Sequence, residues 1–135
     1  MGLKFVQRKK IDSKKLLDLY SSVRWSTKRD RMDKGKGISR TYQNSQIVIS
    51  VWDKDLLIGV IRALTDKNWD GVIFGLVIRP QYQDQGIGTA LVQKCIKHYP
   101  KIRWYLAAVN PRLDRFYKKL GFKKEKDNWF YKGEK

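Results

Sequence analysis

Residues 79–99 read RPQYQDQGIGTALVQKCIKHY, and this stretch decides the fold. It follows an almost wholly apolar run, VIFGLVI at residues 72–78, which is typical of a central strand buried on both faces. After the loop, apolar residues recur at helical spacing. The stretch therefore predicts a buried strand, a glycine loop and a helix over about residues 86–98.

Two glycines, Gly86 and Gly88, stand where the strand gives way to the helix. Because glycine lacks a Cβ atom, backbone N–H groups there can approach an anion closely, and the helix dipole adds positive partial charge. The spacing disfavours two known phosphate loops. A dinucleotide fingerprint needs a third glycine where Leu91 stands, and a P-loop needs a lysine where Thr89 stands. A pyrophosphate site and an ordinary strand-to-helix turn both remain open.

The rest of the chain predicts one domain, residues 1–135, with a mixed sheet covered by helices, α+β or α/β in class. Three strands in succession are followed by strand–helix–strand crossovers. Strands are expected at residues 3–9, 46–53, 56–65, 72–78 and 102–109, with a final hairpin in residues 122–133. Helices are expected from residue 13 to about 23, at 86–98 and at 110–120, with a short helix plus loop in residues 24–45.

Composition excludes several classes of site. The chain has one cysteine, Cys95, and one histidine, His98, so it cannot form an intrachain disulfide, and a zinc site or a Cys–His pair is disfavoured. Cys95 falls among apolar helix positions, which favours an inert packed thiol. With no apolar run of 18 residues and no signal-peptide pattern at the N-terminus, we expect a soluble cytoplasmic protein without membrane association.

The net charge of +17 is unevenly distributed. Residues 1–40 carry 13 basic against 4 acidic side chains, residues 41–96 carry 5 against 5, and residues 97–135 carry 12 against 4. The excess therefore lies at both ends of the chain and not around the glycine loop. It indicates either a solvated basic surface or attraction to a polyanion such as nucleic acid.

Two segments together resemble one family. VIRPQYQDQGIGTALV is similar to the acetyl-coenzyme A signature of the GNAT superfamily of N-acetyltransferases, with Gln83, Gly86 and Gly88 at its marked positions. NPRLDRFYKKLGFKK resembles the later motif of that family, an asparagine followed by a helix with F-Y-x-x-x-G-F. The resemblance covers about residues 46–122. It implies a GNAT-like, mostly antiparallel sheet of six to seven strands flanked by about four helices.

The resemblance also implies a site for acetyl-CoA. The backbone of the strand at residues 76–78 would bind the pantetheine arm where it diverges at a bulge from the strand at residues 102–109, and N–H groups of the loop would bind the pyrophosphate. The implied cofactor-binding residues are Leu76, Val77, Ile78, Gln83, Asp84, Gln85, Gly86, Ile87, Gly88, Thr89, Asn110 and Tyr117.

The implied chemistry is direct attack of an amine on the thioester within a ternary complex. Tyr117 matches the general acid of the family. Some members carry a carboxylate on the fourth strand, but Gly75 occupies that region here, and Asp66 and Asp70 are better explained as surface turn residues. A water chain or an amine that arrives neutral therefore remains open as the route for the proton.

The acceptor is not identified by the sequence. Trp25 could border its cleft or serve as a packing anchor, and a primary amine of a small molecule or peptide is expected. The competing hypothesis is a basic module on a GNAT fold, associated with nucleic acid or the ribosome, with or without acetylation of an acidic or protein partner. A monomer or a homodimer is compatible with either.

Overall fold

The computed structural model describes residues 2–106, 111–125 and 130–133. These residues form five β-strands and five α-helices, with single 3-10 turns at Pro80–Tyr82 and Pro111–Leu113. The strands are β1 Leu3–Val6, β2 Ile47–Asp53, β3 Leu56–Thr65, β4 Asp70–Ile78 and β5 Arg103–Leu106. The helices are α1 Ser13–Ser22, α2 Lys28–Met32, α3 Lys36–Gln43, α4 Ile87–Ile96 and α5 Asp114–Lys119.

The sheet has the order β1-β2-β3-β4-β5. The first three pairings are antiparallel, and only β4 and β5 run parallel. A mixed, mostly antiparallel sheet is therefore confirmed. Gly71 of β4 lies opposite Trp104 of β5, and a side-chain carbon at Gly71 would overlap the indole ring. The glycine thus lets Trp104 pack flat against the first residues of β4.

Helices cover both faces of the sheet. On one face, α4 buries Leu91, Val92 and Cys95 against apolar side chains of β2, β3 and β4. On the other face, α1 and α3 bury Leu16 and Tyr42 among residues of the same strands. β4 is an interior strand, but it is not buried on both faces along its whole length: Ile73 and Val77 are buried in the cores on opposite faces of the sheet, whereas Phe74 is 46% exposed.

The expected number of six to seven strands is too high for the described residues. The predicted C-terminal hairpin falls partly on residues 126–129, outside the described residues, and its described portions at 122–125 and 130–133 belong to no strand. Residues 123–125 are all charged and exposed, and Phe130 is 95% exposed, so these described residues lack the buried face that a strand pairing needs.

The number of helices is five rather than about four, because residues 24–45 form two helices. Thr27 begins α2 with a reciprocal capping box to Asp30, and Gly35 then turns the chain with a φ of 79° before α3. α2 has only five residues and no buried side chain, so it has no apolar period that a sequence could reveal. No helix of the described residues is long and apolar enough to cross a membrane.

Candidate active site

Strand β4 forms one wall of the candidate site. Its parallel pairing with β5 runs from Asp70 to Ile73, and beyond Ile73 it pairs with β3 alone within the described part of the chain. The expected divergence from the fifth strand falls at residues 107–110, outside the described residues. β4 has a bulge where its pairing with β5 ends: Ile73 pairs with Ala63 and Gly75 with Arg62 of β3, so Phe74 between them is an extra residue. Backbone groups of β4 after the bulge therefore have no strand partner on this side among the described residues.

A cavity of about 490 Å³ opens beside this part of β4. It brings together eight of the implied cofactor-binding residues, from the strand, the glycine loop and the start of α4. Gln85, Ile87 and Tyr117 do not line it, and Asn110 lies outside the described residues. The lining residues are Val23, Trp25, Leu76, Val77, Ile78, Pro80, Tyr82, Gln83, Asp84, Gly86, Gly88, Thr89, Leu113 and Phe116.

The glycine loop presents a run of backbone donors. No hydrogen bond from the N–H groups of residues 84–89 to any described residue is found, because the first intrahelical bond of α4 is donated by Ala90. Asp84 and Gly86 have positive φ, 61° and 82°, so the loop curves before the helix begins. Alternating backbone conformations of this kind turn successive amides toward one concavity, which suits an anion. No atom lies within 4 Å of a side-chain carbon built at Gly86, so the space above it is open.

Side chains of the loop hold its shape. Gln83 donates from Nε2 to the carbonyl of Ile78 at 2.9 Å, which ties the loop to the last residue of β4. Gln85 donates to the carbonyl of Gln81 at 3.2 Å. Ile87 is 5% exposed, and its side chain packs into the core beneath the loop, where it anchors the start of α4.

Arg79 and Tyr82, to which the sequence analysis assigned no role, hold the residues between the end of β4 and the glycine loop, here called the base of the loop. Arg79 donates from Nε and Nη2 to the carbonyl of Leu57 at 3.2 and 2.9 Å, and from Nη2 to the carboxylate of Asp18 at 2.9 Å. Tyr82 donates to the carboxylate of Asp53 at 2.5 Å, and this hydrogen bond raises the pKa of Tyr82. An arginine directly after a buried strand was the only signal for such a link.

Tyr117 lies on α5 beside the site and is half-buried between two other rings. Its ring centroid is 5.1 Å from that of Phe116 and 6.4 Å from that of Phe122, both in edge-on geometry. Burial raises the pKa of the Tyr117 phenol, so it stays protonated at neutral pH. Phe116, its neighbour, reaches the cavity and lies 3.3 Å from where a side-chain carbon of Gly88 would stand. α5 therefore packs against the glycine loop.

A polar cluster lies behind the bulge of β4. The hydroxyls of Tyr20 and Tyr42 are hydrogen-bonded at 2.7 Å, and both lie within 3.4 Å of the position a side-chain carbon of Gly75 would take. Burial raises the pKa of both phenols, that of Tyr42 well above its usual value. Trp25, which lines the cavity, packs edge-on against Tyr20 with ring centroids 6.4 Å apart. Trp25 is thus both a packing partner and a wall of the cavity.

The other titratable residues singled out in the sequence lie away from the cavity. Cys95 is fully buried, and burial raises the pKa of its thiol to about 12, which confirms an inert packed residue. His98 is exposed just beyond the end of α4. Asp66 accepts hydrogen bonds from three backbone amides of its own turn, which lower its pKa. It is a turn residue, as expected.

Comparisons of the sequence with protein families and with known proteins agree on one family. The model described as acetyltransferase (GNAT) family matches residues 14–122. A relative from Pyropia yezoensis, named uncharacterized N-acetyltransferase ycf52, is 32% identical over 125 residues, which cover 88% of this chain and 69% of the relative. The protein of the same name from Gracilaria tenuistipitata var. liui is 31% identical over 113 residues, 82% of this chain. The alignment covers only 60% of that relative's length.

Solved structures share the fold. A probable acetyltransferase from meticillin-resistant Staphylococcus aureus superposes with a TM-score of 0.81 at 19% sequence identity, covering 99% of each chain. At that level of identity the likeness concerns the fold alone.

Proposed function

Because the chain belongs to the acetyltransferase (GNAT) family, we propose that it moves an acetyl group from acetyl-CoA to a primary amine of a small molecule or peptide. Acetyl-CoA as the donor is supported by one observation: the amides of residues 84–89, beside a cavity along β4, have no hydrogen-bond partner among the described residues. A cytoplasmic location is part of the same proposal. The relatives' names support N-acetyl transfer in general and give no acceptor.

The residues present fit coenzyme A. Its pyrophosphate needs donors and positive potential, which the amides of residues 84–89 and the start of α4 supply. Its pantetheine arm carries amides, which suit the exposed backbone of β4 after the bulge in the manner of an added strand. The apolar side chains of Leu76 and Ile78 and the ring of Phe116 then exclude water from the arm.

Bound acetyl-CoA supplies an acyl carbonyl that is activated as a thioester. The C–N bond to the acceptor forms as the C–S bond breaks, so the amine must give up a proton and the sulfur must gain one. Tyr117 holds a proton on its phenol oxygen, and the raised pKa keeps that proton in place at neutral pH. We assign Tyr117 the role of general acid toward the leaving sulfur.

Removal of the amine proton is assigned to water. Gly75 stands at the level of the bulge, and the nearest polar groups there are the neutral hydroxyls of Tyr20 and Tyr42, which burial disfavours as bases. An acceptor that enters as the free amine needs no carboxylate in the wall of the site.

Titration of the protein with acetyl-CoA tests the donor, and the Tyr117→Phe variant tests the acid. We expect kcat to fall by roughly 10²-fold or more, because the phenol proton is lost, while the Kd for acetyl-CoA stays within about twofold. Tyr99→Phe is the matched control, since Tyr99 is half-buried and outside the cavity.

Absence of binding heat with sub-millimolar acetyl-CoA would overturn the proposed donor. Loss of acetyl-CoA binding in Tyr117→Phe, with normal binding in Tyr99→Phe, would instead give Tyr117 a structural role.

A further inference from the structure

Arg62 lies at the junction of β3, α3 and the bulge of β4, and no established role covers it. Its Cγ is 3.2 Å from the position of a side-chain carbon on Gly75, beside the Tyr20 and Tyr42 hydroxyls. The guanidinium carbon lies 5.5 Å from the centre of the Phe74 ring, over its face. We call these four residues, Tyr20, Tyr42, Arg62 and Phe74, the Arg62 cluster.

Arg62 forms no salt bridge with a carboxylate in the described residues. The salt bridges found there are Arg79 with Asp18 and Lys124 with Asp114, and neither involves the cluster. The hydrogen bond found for the Arg62 guanidinium goes from Nη1 to the hydroxyl of Ser45 at 3.3 Å, a long bond to a neutral acceptor. A guanidinium has five N–H donors and stays charged, so most of its donor capacity is left for another partner.

The cluster lies on the side from which an acceptor would reach the thioester. Phe74 is the bulged residue at which the described pairing of β4 with β5 ends, and it is 46% exposed. Tyr20 packs against Trp25, which lines the cavity. Coenzyme A in the cavity would therefore end near the cluster, in which Phe74 is exposed and Arg62 is partly exposed.

We propose that Arg62 binds an anionic group of the acyl acceptor, so that preferred acceptors are amines that also carry a carboxylate or a phosphate. This inference rests on the proposed function. The planar fork of a guanidinium matches both oxyanions in bidentate geometry, and the Phe74 face holds the fork in place by cation–π attraction. The positive field of the whole protein adds long-range attraction for such acceptors.

The experiment compares matched pairs of amines that differ only in the anionic group. Phenylethylamine is paired with phenylalanine for the carboxylate, and ethanolamine with O-phosphoethanolamine for the phosphate. Release of free CoA gives kcat/KM for each, with acceptor concentrations corrected for the fraction of free amine. Binding of acetyl-CoA is measured in the same preparations.

We expect the wild-type protein to prefer the anionic member of at least one pair by about tenfold or more. The pair that shows the preference identifies carboxylate or phosphate as the group. Arg62→Gln should remove the preference mainly through KM, and Arg62→Lys should keep part of it. Arg40→Gln is the matched control, because Arg40 is an exposed arginine on α3 outside the cluster.

Equal kcat/KM within both pairs in the wild type, or a preference unchanged in Arg62→Gln, would overturn the inference. A purely structural arginine would lower the unfolding temperature of Arg62→Gln and leave the ratio within each pair unchanged. A protein that binds acetyl-CoA but acetylates none of the four amines would refute the inference and leave the proposed donor standing. A protein that binds no acetyl-CoA would remove both.

Discussion

Gly86 shows what a single residue contributes to the candidate site. Its φ of 82° lies in the left-handed region, and a side-chain carbon there would meet no atom within 4 Å. Packing therefore does not require glycine at this position. The backbone conformation does, because the left-handed region favours glycine. We propose that this conformation directs the amides of residues 84–89 toward the pyrophosphate.

Gly86→Ala should weaken acetyl-CoA binding by more than tenfold. The change adds about 1 kcal/mol of left-handed strain, and relief of that strain rotates the amides away from the anion. Gly121→Ala is the matched control, because Gly121 also has a positive φ, 95°, and open space around it. Thermal unfolding should show similar losses for both variants, and calorimetric titration should show weaker binding only for Gly86→Ala. Equal affinities in the two variants would argue against the loop amides as the pyrophosphate site.

The surroundings of Gly75, which include Arg62, could not be predicted from the sequence. The sequence shows that residues 71–78 contain no carboxylate, but not which groups lie near Gly75 instead. Tyr20, Tyr42 and Arg62 are separated from it by 13 to 55 positions in the chain. Only folding brings their atoms within 3.4 Å of one point.

At the scale of elements, the strand, loop and helix around the site were predictable. β3 has the predicted bounds, and β4 and α4 differ from prediction by about two residues at their ends. Asp12 caps α1 by accepting a hydrogen bond from the backbone N–H of Lys15. Strong local signals decide these elements: apolar runs, glycines and a capping side chain. Residues 24–45 were predicted as one short helix plus loop but form both α2 and α3, because α2 has five residues with none buried and therefore no apolar pattern.

Arg79 joins three elements at the point where β4 enters the loop. Arg79→Lys should lower the free energy of unfolding by about 1–2 kcal/mol and weaken acetyl-CoA binding, because a lysine cannot donate twice to the carbonyl of Leu57. Asp18→Asn tests the ion pair alone. Asp18 is 66% exposed, so solvent screens the pair and the loss should be below about 1 kcal/mol.

Urea unfolding and calorimetric titration of both variants give the comparison. A larger loss in Asp18→Asn than in Arg79→Lys would show that the ion pair, rather than the carbonyl bonds, holds the base of the loop.

At the scale of the whole molecule, the net charge of +17 is the feature that the proposed donor site does not explain. The excess lies in the first 40 and the last 39 residues, while the loop region is neutral. Some of these basic side chains, among them Arg115, Lys118 and Lys119, line a depression of about 530 Å³ along α5. This surface favours polyanions in general, which keeps a nucleic-acid partner as the competing function.

A salt series separates the two functions. We expect weak binding of a single-stranded RNA at about 50 mM salt and a loss of roughly 10³-fold or more by about 200 mM, since dispersed lysines act by counterion release. Acetyl-CoA affinity should change much less, because backbone dipoles provide its contacts. Fluorescence anisotropy with labelled RNA and calorimetry with acetyl-CoA measure the two. RNA binding that persists at about 300 mM salt would indicate a dedicated nucleic-acid site.

The sequence by itself determined the strands and helices with strong periodicity, the glycine loop, the family and an inert Cys95, because each depends on local pattern or composition. The tertiary structure decided the order of the sheet, the base of the loop at Arg79 and the surroundings of Gly75. These depend on contacts between residues far apart in the chain, and no local pattern records which side chains meet across a sheet. The loop RPQYQDQGIG allowed an anion site to be predicted, and this stays a prediction, whereas the groups that surround Gly75 could be identified only from the fold.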